Sequence, residues 1–194
     1  QAEAATGKQY VQTWMHNAFI TIENKKVSKS LGNTIYLHQI TDKGFSPRAL
    51  RYWYLTGHYR SPMNFTWEAI AGADTALRRL NKFFFEDLSK VSAGTPDPEF
   101  LKQFGAALAN DLDTPRAVAL LWDLIKNDAV SSAAKRASLL LADKVLGLGF
   151  SEKRDAVKLD VVEKTDLPEE MQQKLKEREE ARANKDFAKA DQLR

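Results

Sequence analysis

Between Thr66 and Leu88, apolar side chains recur at three-, four- and seven-residue steps, a period that fits one face of an α-helix and not a strand. Thr66 is a residue type that commonly caps a helix N-terminus. The pattern therefore predicts one long helix whose apolar face lies in a core. That face consists of Trp67, Ile70, Leu77, Leu80, Phe84 and Leu88.

Further helices are predicted on both sides of this one. Ser46 followed by Pro47 is an N-cap with proline at the first helical position, and it opens a helix that Gly57 ends. A Gly/Pro/Ser-rich break at 91–98 follows the long helix. Beyond it, helical spacing predicts a small antiparallel three-helix bundle. Its helices run from about Glu99 to Asn110, from Thr114 to Ile125 and from Ser132 to Leu146.

One strand is predicted, at Ala18–Ile22, because this segment is rich in β-branched and aromatic residues. Glu23–Lys25 would turn the chain from this strand into a lysine-rich segment. From Asp166 the chain becomes highly charged, which favours a bent helix or helical pair with a thin apolar face. The sequence thus predicts a mainly α protein.

The amino-acid composition indicates the broad class of protein. The 194 residues are 43% hydrophobic and 28% charged, as in globular proteins. No apolar run approaches the length of a membrane span, and we expect a cytoplasmic protein. The absence of cysteine excludes disulfides and thiolate metal sites within these residues, and the three histidines have no metal-ligand spacing, so no metal is predicted in this chain. A formal charge of +3 is compatible with a polyanionic partner.

The chemistry of the chain is concentrated in Lys26-Val27-Ser28-Lys29-Ser30-Leu31-Gly32-Asn33. Two lysines three residues apart, among small hydroxyl residues, make a mobile cationic loop suited to a polyphosphate. A solvated basic turn after a hairpin has the same spacing. Residue spacing alone leaves both interpretations open.

This segment resembles the K-M-S-K-S signature of class I aminoacyl-tRNA synthetases, with Val27 in place of methionine. Four other segments extend the resemblance to the cysteinyl-tRNA synthetase family over nearly the whole chain. They are Trp14–Asn17, Leu55–Phe65, Asn110–Ala117 and Ala183–Asp191.

The resemblance implies a reaction. In that family, ATP and cysteine form cysteinyl-adenylate with release of pyrophosphate, and the cysteinyl group then passes to tRNA. Carried over position by position, Lys26 and Lys29 are the catalytic residues that stabilise charge on the phosphates. The implied ATP-binding residues are Lys26, Val27, Ser28, Lys29 and Ser30. Arg51 and Arg60, in the region that resembles the family's stem-contact part, are the implied tRNA-binding residues.

Part of the family's apparatus is not in these residues, namely the H-I-G-H-type motif and the cysteine, histidine and glutamate ligands of zinc. The resemblance therefore implies a carboxyl-terminal part that starts inside the catalytic domain, inactive alone, with ATP and zinc used by the full-length protein. The implied division is catalytic-domain end at 1–33, stem-contact region and long helix at 34–92, anticodon-region bundle at 97–150 and charged linker at 151–194.

Two alternatives remain at this stage. One is a related ATP-dependent ligase that joins cysteine to an amino sugar. The charged segment Asp166–Arg194 argues against it, because its Ala-x-x-x-Lys-Asp-Phe-x-x-Ala-Asp pattern resembles the tRNA enzymes. The other is a non-catalytic tRNA-binding remnant, which an upstream nucleotide-binding fold would exclude.

Overall fold

The computed structural model describes residues 1–28 and 32–152, with residues 173, 174, 176–178, 180, 186 and 189. Residues Gln1–Val157 belong to one compact unit and Lys158–Arg194 to another. Seven α-helices and three short strands are described. The helices are α1 Ala2–Thr6, α2 Leu37–Asp42, α3 Pro47–Leu55, α4 Trp67–Lys82, α5 Pro98–Ala109, α6 Thr114–Lys126 and α7 Ser132–Leu146. The strands are β1 Ile20–Ile22, β2 Lys25–Lys26 and β3 Met63–Phe65.

The second unit contains most of the predicted charged segment. Residues 173, 174, 176–178, 180 and 189 are helical. Asp186 is also described and is not helical, and the remainder of the segment predicted to be helical lies outside the described residues.

Side-chain caps form the helix starts that the sequence predicts. The Ser46 hydroxyl accepts a hydrogen bond from the backbone N–H of Arg48 at 3.2 Å, and Pro47 is the first residue of α3. The Thr66 hydroxyl accepts from the backbone N–H of Ala69 at 3.1 Å at the start of α4. Each cap satisfies an N–H group that has no partner inside its own helix. Both predicted starts are confirmed.

The predicted bundle is also confirmed, each helix end falling within one residue of its predicted place. Asp97 caps α5 by accepting from the N–H of Phe100 at 2.7 Å, and Asp113 caps α6. The helix α7 ends at Gly147, whose φ of 63° is left-handed. All three helices contribute to one core together with α3 and α4. Its fully buried side chains include Ile70, Leu80, Phe84, Leu121, Leu139 and Leu146.

The sheet is small and has the order β2, β1, β3. The strands β1 and β2 are antiparallel and joined by Glu23 and Asn24, which have φ of 49° and 60°. The strand β3 pairs in parallel with β1, aligning Ile20 with Met63. The sequence prediction contained one strand, and β2 and β3 both correct it, since Lys25 was expected in the turn and lies in β2. Two or three residues are too few to establish an alternating pattern, and β3 forms because tertiary pairing supplies its partner.

The long helix predicted as far as Leu88 changes geometry on the way. Regular α-helix ends at Lys82, and a π-helical turn runs over Phe83–Asp87. A π turn holds an extra residue, so it rotates the side chains that follow it around the axis. Phe84 and Leu88 remain buried after this rotation. The short helices α1 and α2 were not predicted either, because one or two turns give too few residues for a period.

Three contacts connect α3 to the bundle and to the residues that follow it. The guanidinium Nε of Arg51 donates to the backbone oxygen of Leu146 at 2.5 Å, and Arg48 forms an ion pair with Glu152. The indole N–H of Trp122 in α6 donates to the hydroxyl oxygen of Tyr52 in α3 at 3.0 Å. Helix α3 therefore packs against both α6 and the end of α7.

The end of α7 is organised by a buried carboxylate. Asp143 is buried and accepts from the backbone N–H groups of Leu148, Gly149 and Ser151 at 2.6, 2.8 and 2.9 Å. The hydroxyl of Ser151 donates to it as well. These bonds fold the chain after the helix tightly against α3.

Candidate functional site

A β-hairpin presents the beginning of the lysine-rich segment. Lys26 is the last residue of β2, pairs with Thr21 of β1 and is exposed. Val27 and Ser28 follow it directly. Lys29 and Ser30 lie outside the described residues, so the structure places three of the five predicted ATP-binding residues.

A side chain that the sequence analysis did not select holds the described part of this loop. The amide oxygen of Asn33 accepts from the backbone N–H of Ser28 at 2.9 Å, and its amide nitrogen donates to the backbone oxygen of Lys26 at 3.0 Å. Gly32 precedes it with a φ of 61°, a left-handed conformation that glycine adopts at little cost. The sequence contains a signal for this arrangement, namely the Gly-Asn pair at the end of the cationic segment.

Val27 lies over an apolar cavity of about 190 Å³. Its side chain is 39% exposed, so it contacts the cavity on one side and solvent on the other. The other lining residues are Ile20, Ile22, Thr34, Ile35, Tyr36, Leu37, Ile40, Leu50, Tyr54 and Phe65. The loop therefore begins over apolar side chains of the sheet, α2 and α3.

The hairpin is fixed from below by β3 and the segment before it. The side-chain oxygen of Asn64 accepts from the hydroxyl of Thr21 at 2.9 Å and from the backbone N–H of Asn24 at 2.8 Å. The backbone N–H of Ala18 donates to the oxygen of Tyr59 at 2.8 Å. These bonds fix both the turn of the hairpin and the entry to β1.

Arg60 takes part in a polar cluster that joins two loops. Its Nε lies 3.0 Å from a carboxylate oxygen of Asp111 and 2.7 Å from the hydroxyl oxygen of Tyr59. The Tyr59 hydroxyl donates to the other carboxylate oxygen of Asp111 at 2.6 Å. The hydrogen bond to Tyr59, and then the charge of Asp111, raise the pKa of Arg60. The Arg60 side chain is 65% exposed, so its cationic end remains accessible to solvent.

His58 belongs to the same cluster. Its Nδ1 accepts from the backbone N–H of Arg60 at 3.3 Å, which assigns the ring proton of neutral His58 to Nε2. Nε2 lies 3.0 Å from the backbone oxygen of Asp111 and donates to it. Asp111 and Leu112 have φ of 53° and 55°, so the cluster holds two consecutive non-glycine residues in a costly left-handed conformation.

The two arginines predicted to bind tRNA have separate partners. Arg51 is engaged with the carboxyl end of α7 through Leu146, whereas Arg60 is engaged with Asp111 in the loop between α5 and α6. Both are exposed residues overall. The contact of Arg51 therefore stabilises the fold, whereas Arg60 places a charge at the surface.

Zinc does not fit the part of the chain that the structure describes. No group of three histidine, aspartate or glutamate residues within it is arranged to hold a metal ion, and the sequence has no cysteine. We therefore derive no step through zinc. Within the same residues, no helix combines the length and the apolar character that a membrane span requires.

Known proteins similar to this chain were found by sequence and by structure. Residues 1–75 match the family described as tRNA synthetases class I (C) catalytic domain. Cysteine–tRNA ligase 1 of Burkholderia lata is 40% identical over the whole chain, which covers 39% of that protein. The cysteine–tRNA ligases of Streptococcus equi subsp. zooepidemicus and Acinetobacter baylyi are 36% and 34% identical over the whole chain, which covers 41% and 44% of them.

A solved structure supports the fold. It is the ternary complex LeuRS–tRNA–LeuAMS of Agrobacterium radiobacter K84, which matches with a TM-score of 0.53 and 19% identity. The match covers 68% of this chain and 20% of that one. At this identity the likeness concerns the fold alone, and it agrees with the predicted mainly α fold.

The chain spans about two fifths of the length of the curated relatives described above. Its first 75 residues match a catalytic domain, and the similarity continues to its last residue. The resemblance to the cysteinyl-tRNA synthetase family, first carried by short motifs, is therefore confirmed over the whole chain.

Proposed function

We propose that the full-length protein attaches cysteine to tRNA at the expense of ATP. The observation that carries this proposal is the similarity of all 194 residues to proteins named cysteine–tRNA ligase. The proposed reaction has two steps and takes place in the cytoplasm.

In the first step, a carboxylate oxygen of cysteine attacks the α-phosphorus of ATP. A mixed anhydride, cysteinyl-adenylate, forms as the bond to the β-phosphate oxygen breaks, and pyrophosphate leaves with the electron pair. In the second step, a terminal ribose hydroxyl of tRNA attacks the cysteinyl carbonyl carbon. An ester forms, the hydroxyl proton is lost and AMP leaves.

The lysine loop acts in the first step by electrostatics. Negative charge grows on the bridging oxygen as pyrophosphate departs, and ammonium groups aimed at this position stabilise the transition state more than the ground state. Lys26 and Lys29 are the proposed cations. Ser28 is the proposed hydroxyl donor and Ser30 the proposed hydroxyl and N–H donor, since the backbone N–H of Ser28 already donates to Asn33. Support comes from the exposure of Lys26 at the end of a fixed hairpin. Val27 is proposed to border the ATP site while contacting the apolar cavity.

The second step requires tRNA, and Arg60 is the better of the two predicted contacts. Its charge is exposed, and a guanidinium stays protonated at every physiological pH. Arg51 is the weaker of the two proposed contacts, since its Nε already donates to the backbone oxygen of Leu146. Binding that rests on phosphate contacts weakens steeply with added salt.

The proposal is tested on the full-length protein by cysteine-dependent exchange of radioactive pyrophosphate into ATP, followed by charging of tRNA. We expect exchange with cysteine and ATP, and cysteinyl-tRNA when tRNA is added. Exchange without transfer to tRNA, but with transfer to an amino sugar, would establish the alternative ligase. Binding of tRNA with no exchange would establish the non-catalytic remnant.

A further inference from the structure

The amide of Asn33 joins two backbone groups on the near side of the lysine loop. It accepts from the N–H of Ser28 and donates to the oxygen of Lys26, at 2.9 and 3.0 Å. Residues 26 and 28 flank Val27, so the amide fixes the direction in which the chain leaves β2.

Only an amide side chain of this length supplies both bonds from one planar group. A carboxylate accepts but does not donate, and an ammonium donates but does not accept. A serine hydroxyl donates and accepts through a single atom, which cannot lie beside two backbone groups that are two residues apart. The arrangement therefore depends on asparagine itself and not only on polarity.

The chain that follows Asn33 is also anchored. Thr34 and Ile35, which follow it, line the apolar cavity beneath Val27, and Tyr36 is the N-cap of α2. Asn33 is partly buried, whereas Lys26 is exposed. The amide thus ties the start of the cationic segment to a packed part of the fold.

We propose that Asn33 is a positioning residue for the phosphate chemistry of the lysine loop. By bridging Lys26 and Ser28, it fixes the backbone from which the Lys26 ammonium and the Ser28 hydroxyl extend before ATP arrives. Ordering a backbone costs conformational entropy, so residues held in advance lose less of it when the transition state forms. This inference rests on the proposed function.

The test compares three variants of the full-length protein by steady-state pyrophosphate exchange. Asn33→Ala removes both bonds, and we expect kcat to fall about tenfold with the KM for cysteine unchanged. Asn33→Asp keeps the acceptor for Ser28, loses the donor to Lys26 and adds a negative charge, so its kcat should fall at least as far. Asn127→Ala is the matched control, since that amide also makes a local turn bond, to the N–H of Ala129, but in the bundle.

A second readout does not depend on activity. Trypsin cleaves after Lys26 and Lys29, and the fragments are counted by mass spectrometry. In Asn33→Ala we expect these two cleavages to become several-fold faster while cleavage elsewhere and the melting temperature stay as in the wild type.

The positioning role of Asn33 is overturned if Asn33→Ala or Asn33→Asp has the kcat of the wild type. It is also overturned if the loss of kcat is accompanied by a lower melting temperature and by faster cleavage throughout the chain. Absence of exchange by the wild-type protein overturns the proposed function and the catalytic role of Asn33 with it. In that event the cleavage rates still show whether the amide holds the loop.

Discussion

The region that carries the lysine loop and the helical bundle are built in opposite ways. Among the described residues from 1 to 36 none is buried, and Trp14 and Phe19 are 71% and 85% exposed. In the bundle, residues 98–150, each helix contributes fully or nearly fully buried side chains to the core. The first region is held mainly by backbone and amide hydrogen bonds, with Ile20, Ile22 and Ile35 only partly buried against the core, whereas the second is held by apolar packing.

This difference implies that the residues proposed for the chemistry and the residues that stabilise the fold are different sets. Side chains that are already in water lose little packing when they are truncated, whereas buried ones leave cavities. Trp14 in the loop region is such an exposed side chain, and its ring stacks on His16 at 6.1 Å between centroids.

The largest expected effect concerns the loop region as a whole. The purified 194-residue chain should show no cysteine-dependent pyrophosphate exchange, because the H-I-G-H-type half of the ATP site is not among its residues. The full-length protein, assayed in parallel, should be active. Robust exchange by the short chain would show that the loop region does not need the H-I-G-H-type half of the ATP site.

In the bundle, Leu121→Ala should lower the free energy of unfolding by about 2–5 kcal/mol, since a fully buried leucine is replaced by a cavity. Denaturant titration followed by tryptophan fluorescence measures this change. Val145→Ala is the control, because Val145 lies on α7 with 52% of its surface exposed and should change stability little. Equal effects of the two substitutions would contradict the packing described for the bundle.

In the loop region, Lys29→Ala in the full-length protein should slow adenylate formation by about 10²-fold or more and leave cysteine binding and the melting temperature nearly unchanged. Lys29→Arg should restore little activity, because a planar guanidinium does not replace a compact ammonium. Pre-steady-state adenylate formation and thermal melting are the measurements.

The control for this prediction is Lys25→Ala. Lys25 is exposed on β2 one residue before the predicted site, so its loss should leave the rate of adenylate formation within about twofold of the wild type. An unchanged rate in Lys29→Ala, or a loss explained by unfolding, would make the segment a solvated turn.

The smallest effect is expected between α3 and the bundle. Tyr52→Phe leaves the indole N–H of Trp122 without its acceptor and should reduce the free energy of unfolding by about 1 kcal/mol at pH 7. Denaturant titration measures the change. A variant as stable as the wild type would show that solvent replaces this bond without loss.

The same substitution has a consequence at alkaline pH. Burial raises the pKa of Tyr52 above that of an unfolded tyrosine, which is about 10. The unfolded chain therefore ionises first, and the wild type should lose stability as the pH rises above about 10, with no effect below it. Tyr52→Phe should show a weaker loss over that range. Parallel pH profiles for the two proteins would argue against a raised pKa.

Sequence reasoning predicted the bundle well, because its information is local. The caps Ser46, Thr66 and Asp97 each act on N–H groups two or three residues away, and the apolar period of each helix repeats within one turn. Strand β3 could not be predicted in this way. Its partner β1 lies far earlier in the chain, and no pattern in Met63–Phe65 marks that pairing.

The candidate site, too, was only partly predictable from the sequence. Lys26 and Lys29 follow from a motif, which specifies residue types at fixed spacing, but the contacts of Asn33 and the cluster of Tyr59, Arg60 and Asp111 required coordinates. The roles assigned to the lysines and to the two arginines stay predictions. A motif identifies which side chains can react, whereas their orientation depends on neighbours that lie elsewhere in the sequence.

The contact between α3 and the end of α7 limits how this protein can vary. A β-carbon added to Gly147 would lie 2.9 Å from the Arg51 guanidinium, and one added to Gly149 would lie 2.7 Å from that of Arg48. Two arginines and two glycines, distant in sequence, therefore occupy one shared volume. A lineage that gains a side chain at one of these glycines must also shorten or redirect the arginine that faces it, so each glycine should change together with its own arginine.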